Sequence, residues 1–257
     1  MCRFIASLLV IFSFTFAVVA ASAAPAPAVS AAAAGPARPP LIVRTSDGLP
    51  MEVALVSVHR GAVRVRNLAS NREIPLLFAK LDVRTRKVIE DEIMNVRKNV
   101  RGGFKFGAVV ESNPSNLKPF TAISRKASLQ VGEQSTNSRI VPPGGYCVRL
   151  SNVSLAKAPP TVDLPVELHL FWYKSAGRTG WESSSPEKVN LTISDLPGEY
   201  LSHPVKFESN AYKGFVAIII NPANGAILWK RADGTFATEF LKDAEKRLGT
   251  TTLPPTP

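Results

Sequence analysis

Residues 44–67 read RTSDGLPMEVALVSVHRGAVRVRN, and their pattern sets the fold class of the chain's first folded part. Residues 62–68 alternate cleanly, with Val63 and Val65 on one side and Arg64 and Arg66 on the other, as a half-buried strand requires. His59-Arg60-Gly61 supplies a turn before this run. In residues 51–58 the apolar side chains occupy both parities, which predicts a strand covered on both faces. Ala69-Ser70-Asn71 marks the next turn, and Ile74, Leu76 and Phe78 resume the alternation. So few residues in three or four short strands bury an interior only by curling. The expectation is a small, autonomous SH3-like barrel that displays Arg64 and Arg66 outward.

Beyond it, Asp82 stands at an N-cap position and residues 83–100 have helical periodicity, with Val88, Ile89, Ile93 and Val96 on one stripe. Gly102-Gly103 ends the helix, and Arg97, Lys98 and Arg101 suit the negative end of its dipole. Barrel plus helix thus spans 41–102. From 104 to 231 the segments FKFGAVVES, ASLQV, YCVRLSNVS, VELHLFWYKS, KVNLTIS, HPVKFES, FVAIII and AILWKR alternate with Pro-, Gly-, Asn- and Ser-rich stretches. Short strands at this density predict an antiparallel β-sandwich, Ig-like or jelly-roll, over 103–250. Residues 215–220, apolar at every position, read as its central strand, turned back by NPANG at 221–225. Thr238 is placed to cap a short helix over 239–248, closed by Gly249, before a disordered Thr/Pro tail at 251–257. The fold class is mainly β.

The chain opens Met1-Cys2-Arg3, runs apolar through 4–24 and ends that run in Ala20-Ala21-Ser22-Ala23-Ala24. One charge, an apolar core and an A-x-A site predict a signal peptide over 1–24, hence a secreted, periplasmic or cell-envelope protein. The rival is a retained anchor, since the run is long enough for a hydrocarbon core of roughly 30 Å. Residues 25–40, almost wholly Ala and Pro, form a disordered tether. No later run is long enough to span a bilayer, so no transmembrane segment is expected after cleavage. Cleavage leaves Cys147 without a disulfide partner, and within GYCVRL it reads as a small buried hydrophobe. A formal charge of +11 favours acidic partners: an acidic peptide or protein segment, or an anionic envelope polymer.

The order Arg44-Thr45, Asp47-Gly48, Glu52-Val53-Ala54-Leu55-Val56, Gly61-x-Val63-x-Val65, Ile74-Pro75-Leu76 and Leu81 resembles the SLA1 homology domain 1 (SHD1), a small barrel also found in secreted bacterial proteins. Two positions depart from that pattern: Ser46 stands where an aromatic usually follows the Arg-Thr pair, and Val83-Arg84-Thr85-Arg86 replaces an acidic, aromatic-containing segment. The resemblance covers about a fifth of the chain and implies a module that binds peptides, in eukaryotic members a sorting signal with Asn-Pro-Phe and an acidic residue. Arg64 and Arg66, with Lys80 just past the barrel, are the cations placed to meet a ligand carboxylate. Solvation of the surface is the plain alternative for all three. The later part is similar only to uncharacterised secreted β-sandwiches.

Nothing in the sequence amounts to a catalytic site, a metal site or a cofactor motif. His59, His169 and His203 lack metal-ligand spacing, and no G-x-S-x-G elbow occurs. Glu167 and His169 point the same way from one strand, together with Phe171 and Tyr173, and read as a surface pair. RGGFKFG, residues 101–107, lacks the G-K-[ST] ending of a phosphate loop and reads as an interdomain hinge. Glu90-Asp91-Glu92 diverge on a helix and form a solvated face. Nucleic-acid binding is disfavoured because acids interleave with the basic cluster of the helix. Asn152-Val-Ser154 and Asn190-Leu-Thr192 match the glycosylation acceptor pattern. Three functions follow: an exported, non-enzymatic binding or adaptor protein, a structural cell-envelope component, or a hydrolase acting on a polymer from a site in the sandwich loops.

Overall fold

In the computed structural model the chain is mainly β, and among the described residues every strand pairing but one is antiparallel. The structure describes residues 40–44, 49–124, 127–129, 138–155, 161–178, 180–208 and 210–249. The signal peptide, all of the tether but Pro40, and the 251–257 tail lie outside them. The described residues from Pro40 onward belong to one compact body, and no helix among them is long and apolar enough to cross a membrane.

Strands β1 (Leu41–Arg44), β2 (Pro50–His59), β3 (Ala62–Asn67) and β4 (Glu73–Leu77) form an antiparallel meander in that order. Arg60 and Gly61 both have positive φ, 51° and 75°, the mirror-image turn whose twist matches a two-residue hairpin. Val63 and Val65 are buried, while Arg64 and Arg66 are exposed. In β2 the mixed parity has a different cause from the one expected. Leu55 faces Val65 but Ser57 faces Arg64, so a bulge at Val56 flips the pleat and Val53 and Val58 both point inward. The outer face of β2 stays open at Glu52 and Ala54.

A single 3₁₀ turn (Phe78–Lys80) leads to α1 (Val83–Asn99). Asp82 caps it, its carboxylate accepting from the backbone N–H of Arg84 and Thr85 at 3.0 and 3.1 Å. These bonds, those from Thr85 first, hold the Asp82 carboxyl below its usual range. Thr85, Ile89 and Ile93 are the buried stripe, whereas Val88, one position off it, is 38% exposed. Thr85 also accepts the Arg44 N–H at 3.2 Å, which ties the helix to β1.

The rest of the chain comprises β5 (Phe104–Ser112), β6 (Phe120–Ile123), β7 (Ala127–Ser128), β8 (Ser138–Val141), β9 (Gly145–Leu155), β10 (Leu164–Ala176), β11 (Gly180–Ser183), β12 (Glu187–Ile193), β13 (Gly198–Leu201), β14 (Val205–Lys206), β15 (Tyr212–Ile220), β16 (Ile227–Gly234) and α2 (Ala237–Leu248). One sheet is built on β10, which takes β12 and then β11 along one edge and β15 along the other, with β16 outside β15. The second is built on β9, with β5 on one side and β13 and β14 on the other. Alternate residues of β10, namely Val166, Leu168, Leu170 and Trp172, join Phe106, Val148 and Leu150 in the core between the sheets.

Strand β15 is central, as its unbroken apolar run predicts. Phe215, Ala217 and Ile219 enter the core between the sheets, and Val216, Ile218 and Ile220 enter a second core under α2. The C-terminal helix is therefore a third layer. Its Phe240 is fully buried and stacks on Tyr173 with ring centroids 4.1 Å apart, while the Tyr173 hydroxyl donates to the Phe240 carbonyl at 2.9 Å. Gly249 closes α2 in the left-handed conformation (φ 64°), as expected, but Thr238 is not its cap. The helix begins at Ala237 after Phe236, which makes no side-chain cap bond; the Phe236 ring instead packs on Phe240, 6.1 Å away. Packing sets the start where capping does not.

The two parts are stitched together at one seam. Val162, which belongs to the segment entering β10, pairs with Val58 of β2 and is fully buried in the core formed by β1 to β4 and α1. At the C-terminal end of α1, the Asn221 side-chain amide donates to the carbonyls of Arg97 and Val100 at 2.8 and 3.1 Å, and that of Asn224 to Lys98 and Val100 at 2.8 Å each.

Truncating Phe240 to Ala should lower stability by about 3–5 kcal/mol, because it removes the aromatic that seals the second core. Urea unfolding followed by tryptophan fluorescence measures this; a loss below about 1 kcal/mol would mean that α2 is not a structural layer.

Candidate functional site

The outer face of the first sheet carries the cations that the sequence singles out. Register places Arg66 between Ala54 and Glu73, and Arg64 between Ser57 and Pro75. Arg66 Nη2 lies 3.1 Å from Glu73 Oε1, both side chains half exposed. Arg64 is exposed and has no ion-pair partner among the described residues. Next to it along the pleat, Ala62 faces Leu77, whose side chain is 57% exposed. At the opposite end of the face Ile42 and Leu68 are also exposed. The backbone of Lys80 lies in the 3₁₀ turn, and its side chain lies outside the described residues. The face is thus a guanidinium flanked by Pro75 and Leu77, beside a second guanidinium shared with Glu73.

The histidines fall in three places. His59 Nδ1 is 2.9 Å from Asp163 Oδ1, at the seam. His169 is buried, 3.4 Å from Glu167, whose carboxylate also takes Lys188 Nζ at 2.9 Å. Burial holds the His169 imidazolium pKa below its usual value, and the Lys188 ammonium holds the Glu167 carboxyl below its own. Glu167, His169 and Lys188 are thus a compensated cluster. His203 is exposed, and its Nδ1 lies 2.6 Å from Glu187 Oε1, which also accepts the Tyr200 hydroxyl at 2.5 Å. Burial and the adjacent carboxylate push the Tyr200 pKa upward. A carboxylate that orients an imidazole is half of a nucleophile-activating pair. The hydroxyl adjacent in sequence, Ser202, is not available to complete it: its oxygen is fully buried, accepts the Val148 N–H and donates to the His203 carbonyl.

One cluster lies beyond what the sequence reading found. Arg149 of β9 donates through Nε to Glu111 of β5 at 2.6 Å and through Nη1 to Glu199 of β13 at 3.0 Å. These three side chains, with Phe120, Ala122 and Ile123 of β6, line a cavity of about 590 Å³. The partners are far apart in sequence and meet only because β9 is paired on both sides. Behind the cavity Cys147 is fully buried against Ala122, Val141 and Leu201. Burial, then the Glu111 charge, pushes its thiol up to about 11, consistent with its reading as a core residue.

Other motifs take ordinary places. Arg101-Gly102-Gly103 joins α1 to β5, with Gly103 at φ 94°. Glu90 and Asp91 are exposed on α1. Asn152 is buried and Asn190 exposed, so of the two acceptor patterns only that at Asn190 is accessible to a glycan. No family model matches the chain, and neither a curated protein nor a solved structure matches it.

Because His169 titrates below its usual 6.5 in the folded state, the unfolded chain binds more protons as the medium is acidified. Its contribution is therefore present above pH 6.5 and lost as pH falls through that value toward the folded pKa. Glu167, also lowered, acts in the same sense at lower pH. The urea midpoint should fall on acidification from about pH 8 to about pH 5, and less steeply in His169→Gln; equal slopes would remove His169 from this account. Cys147 should react with Ellman's reagent at pH 8 only after denaturation, and rapid labelling of the folded protein would contradict its burial.

Proposed function

We propose that this chain is an exported, non-enzymatic peptide- or protein-binding adaptor that uses the outer face of the β1–β4 sheet. The observation that carries the reading is Arg64: exposed, without an ion-pair partner among the described residues, and set beside Pro75 and exposed Leu77. A carboxylate on the guanidinium and an apolar side chain on the Pro75–Leu77 shelf are the two contacts such a face can make. The resemblance to SHD1 supports the same class of ligand, and the +11 charge favours an acidic one. An anionic envelope polymer would be met by the same arginines. The larger sheets then serve as scaffold or second contact surface.

A structural role in the cell envelope is the second reading, favoured by the seam. Val162 and the Asn221 and Asn224 caps fasten the two parts, as a spacer would need.

The test is fluorescence anisotropy with a labelled peptide, Asn-Pro-Phe-Asp-Asp, and the mature chain. Binding should weaken with salt and fall about tenfold or more in Arg64→Glu/Arg66→Glu, equivalent to about 1.4 kcal/mol. Binding that ignores both the charge reversal and salt would withdraw the face. Absence of binding together with co-fractionation with the envelope would favour the structural role.

A further inference from the structure

The seam is built like a peptide-recognition site, and its occupant is the chain itself. Residues Thr161-Val162-Asp163 lie along the edge of β2 beyond the point where β1 ends at the Leu41–Val53 pair. Val58 N–H donates to the Thr161 carbonyl at 2.7 Å, and Asp163 N–H donates to the Val58 carbonyl at 2.9 Å. Between these bonds Val162, only 1% exposed, joins the apolar core that includes Val53, Val58, Val63, Ile89 and Ile93, which forms its socket. The Asp163 carboxylate is held by a fork: His59 Nδ1 at 2.9 Å and the Arg60 backbone N–H at 2.7 Å, both from the β2–β3 turn. Arg97 of α1 donates through Nε to the Asp163 carbonyl at 2.9 Å. The charged groups at the fork are completed by the Arg60 guanidinium, which lies 3.0 Å from Asp195.

Strand edge, apolar socket and carboxylate fork are the three parts of strand-addition recognition, in which backbone bonds supply affinity and alternate side chains supply specificity. We propose that this edge is a binding site for an extended segment of a partner protein carrying a β-branched residue followed by aspartate, and that Thr161–Asp163 holds it closed in cis. A competing segment must displace a tethered one, so effective concentration keeps the site shut until the cis segment is weakened. The site is separate from the Arg64 face: the fork belongs to the β2–β3 turn, Arg97 of α1 holds the Asp163 carbonyl, and Arg64 and Arg66 point from the sheet's exposed face.

The test uses the mature chain and a fluorescent peptide, Pro-Thr-Val-Asp-Leu-Pro, the sequence of residues 160–165, with Pro-Thr-Asp-Val-Leu-Pro as control. Val162→Ser/Asp163→Asn weakens both the apolar anchor and the fork; Asp163→Asn alone removes the charge and one of the two acceptor oxygens held by the fork. The double variant should bind the peptide at least about tenfold more tightly than the wild type, with the single variant between them. Adding His59→Gln should remove most of that gain, and adding Arg64→Glu/Arg66→Glu should leave it. Three results overturn the proposal: folded variants that bind no better than wild type, equal binding of the control peptide, or loss of cooperative unfolding in both variants, which would make the segment part of the fold and not a displaceable occupant. Failure of the Arg64 face in its own assay leaves this result unchanged, so the two readings fall separately.

Discussion

The pairing of Val58 with Val162 completes the core of the first sheet, while the Asn221 and Asn224 bonds to the end of α1 are a separate fastening of the two parts. A four-stranded meander with one helix has little apolar surface to bury, and small domains are correspondingly marginal. Its core accepts a valine from outside its own span. Burial of that side chain, at roughly 25 cal/mol per Å² of apolar surface, comes with two backbone bonds and a held carboxylate. The asparagine bonds satisfy the last carbonyls of α1, groups that would otherwise need water at a helix end. Removing the larger part would therefore open the socket and strip the helix of its C-terminal partners at once. In the folded chain, the core of the sheet anticipated from the alternation of residues 62–68 includes a valine from its neighbour.

A second constraint is double-sided burial of β15. A strand apolar at every position is stable only where both faces are covered, and antiparallel sheets usually cover one. Here the facing sheet takes the odd residues and α2 takes the even ones. Gly214, at the strand's start, shows how close the third layer sits: a Cβ there would meet the Asp233 carbonyl and the edge of the Phe240 ring. The Tyr173 hydroxyl bridges the layers by donating to the Phe240 carbonyl, with Asp243 Oδ2 also within 3.0 Å. A buried phenol thus keeps its partner, and burial pushes its pKa upward.

Much of this was legible because period-2 alternation and turn chemistry act locally. Val63 and Val65 inward, Arg64 and Arg66 outward, the Asp82 cap and the Gly249 stop all follow from a few neighbouring residues. The β2 bulge was not, because a one-residue insertion in the pleat imitates a strand buried on both faces until its partner is known. Strands as short as β7 and β14, two residues each, carry no period to detect. The Glu111–Arg149–Glu199 cluster and the seam depend on pairs 38 to 126 residues apart, and only topology brings such residues together. Nothing local in the sequence marks Asp163, which the fold brings to the β2–β3 turn.

Charge distribution bears on where a ligand can act. In the larger part, many acids are matched locally: Arg149 joins two carboxylates, Lys188 meets Glu167, Lys174 meets Glu182, Lys230 meets Glu245 and Arg247 meets Asp243. Apart from the largely buried Arg149 cluster, exposed pairs of this kind add little stability, typically under about 1 kcal/mol, but they cancel local field. The outer face of the first sheet pairs Arg66 with Glu73 and leaves Arg64 uncompensated among the described residues. An excess of positive charge spread over a surface attracts any polyanion, whereas the proposed function has one unmatched guanidinium next to proline and leucine favouring a carboxylate with an apolar neighbour. On the proposed reading, a ligand at that face would meet a backbone fixed in a four-stranded sheet, and the ordering cost on the protein's side would fall mainly on the exposed arginine side chains.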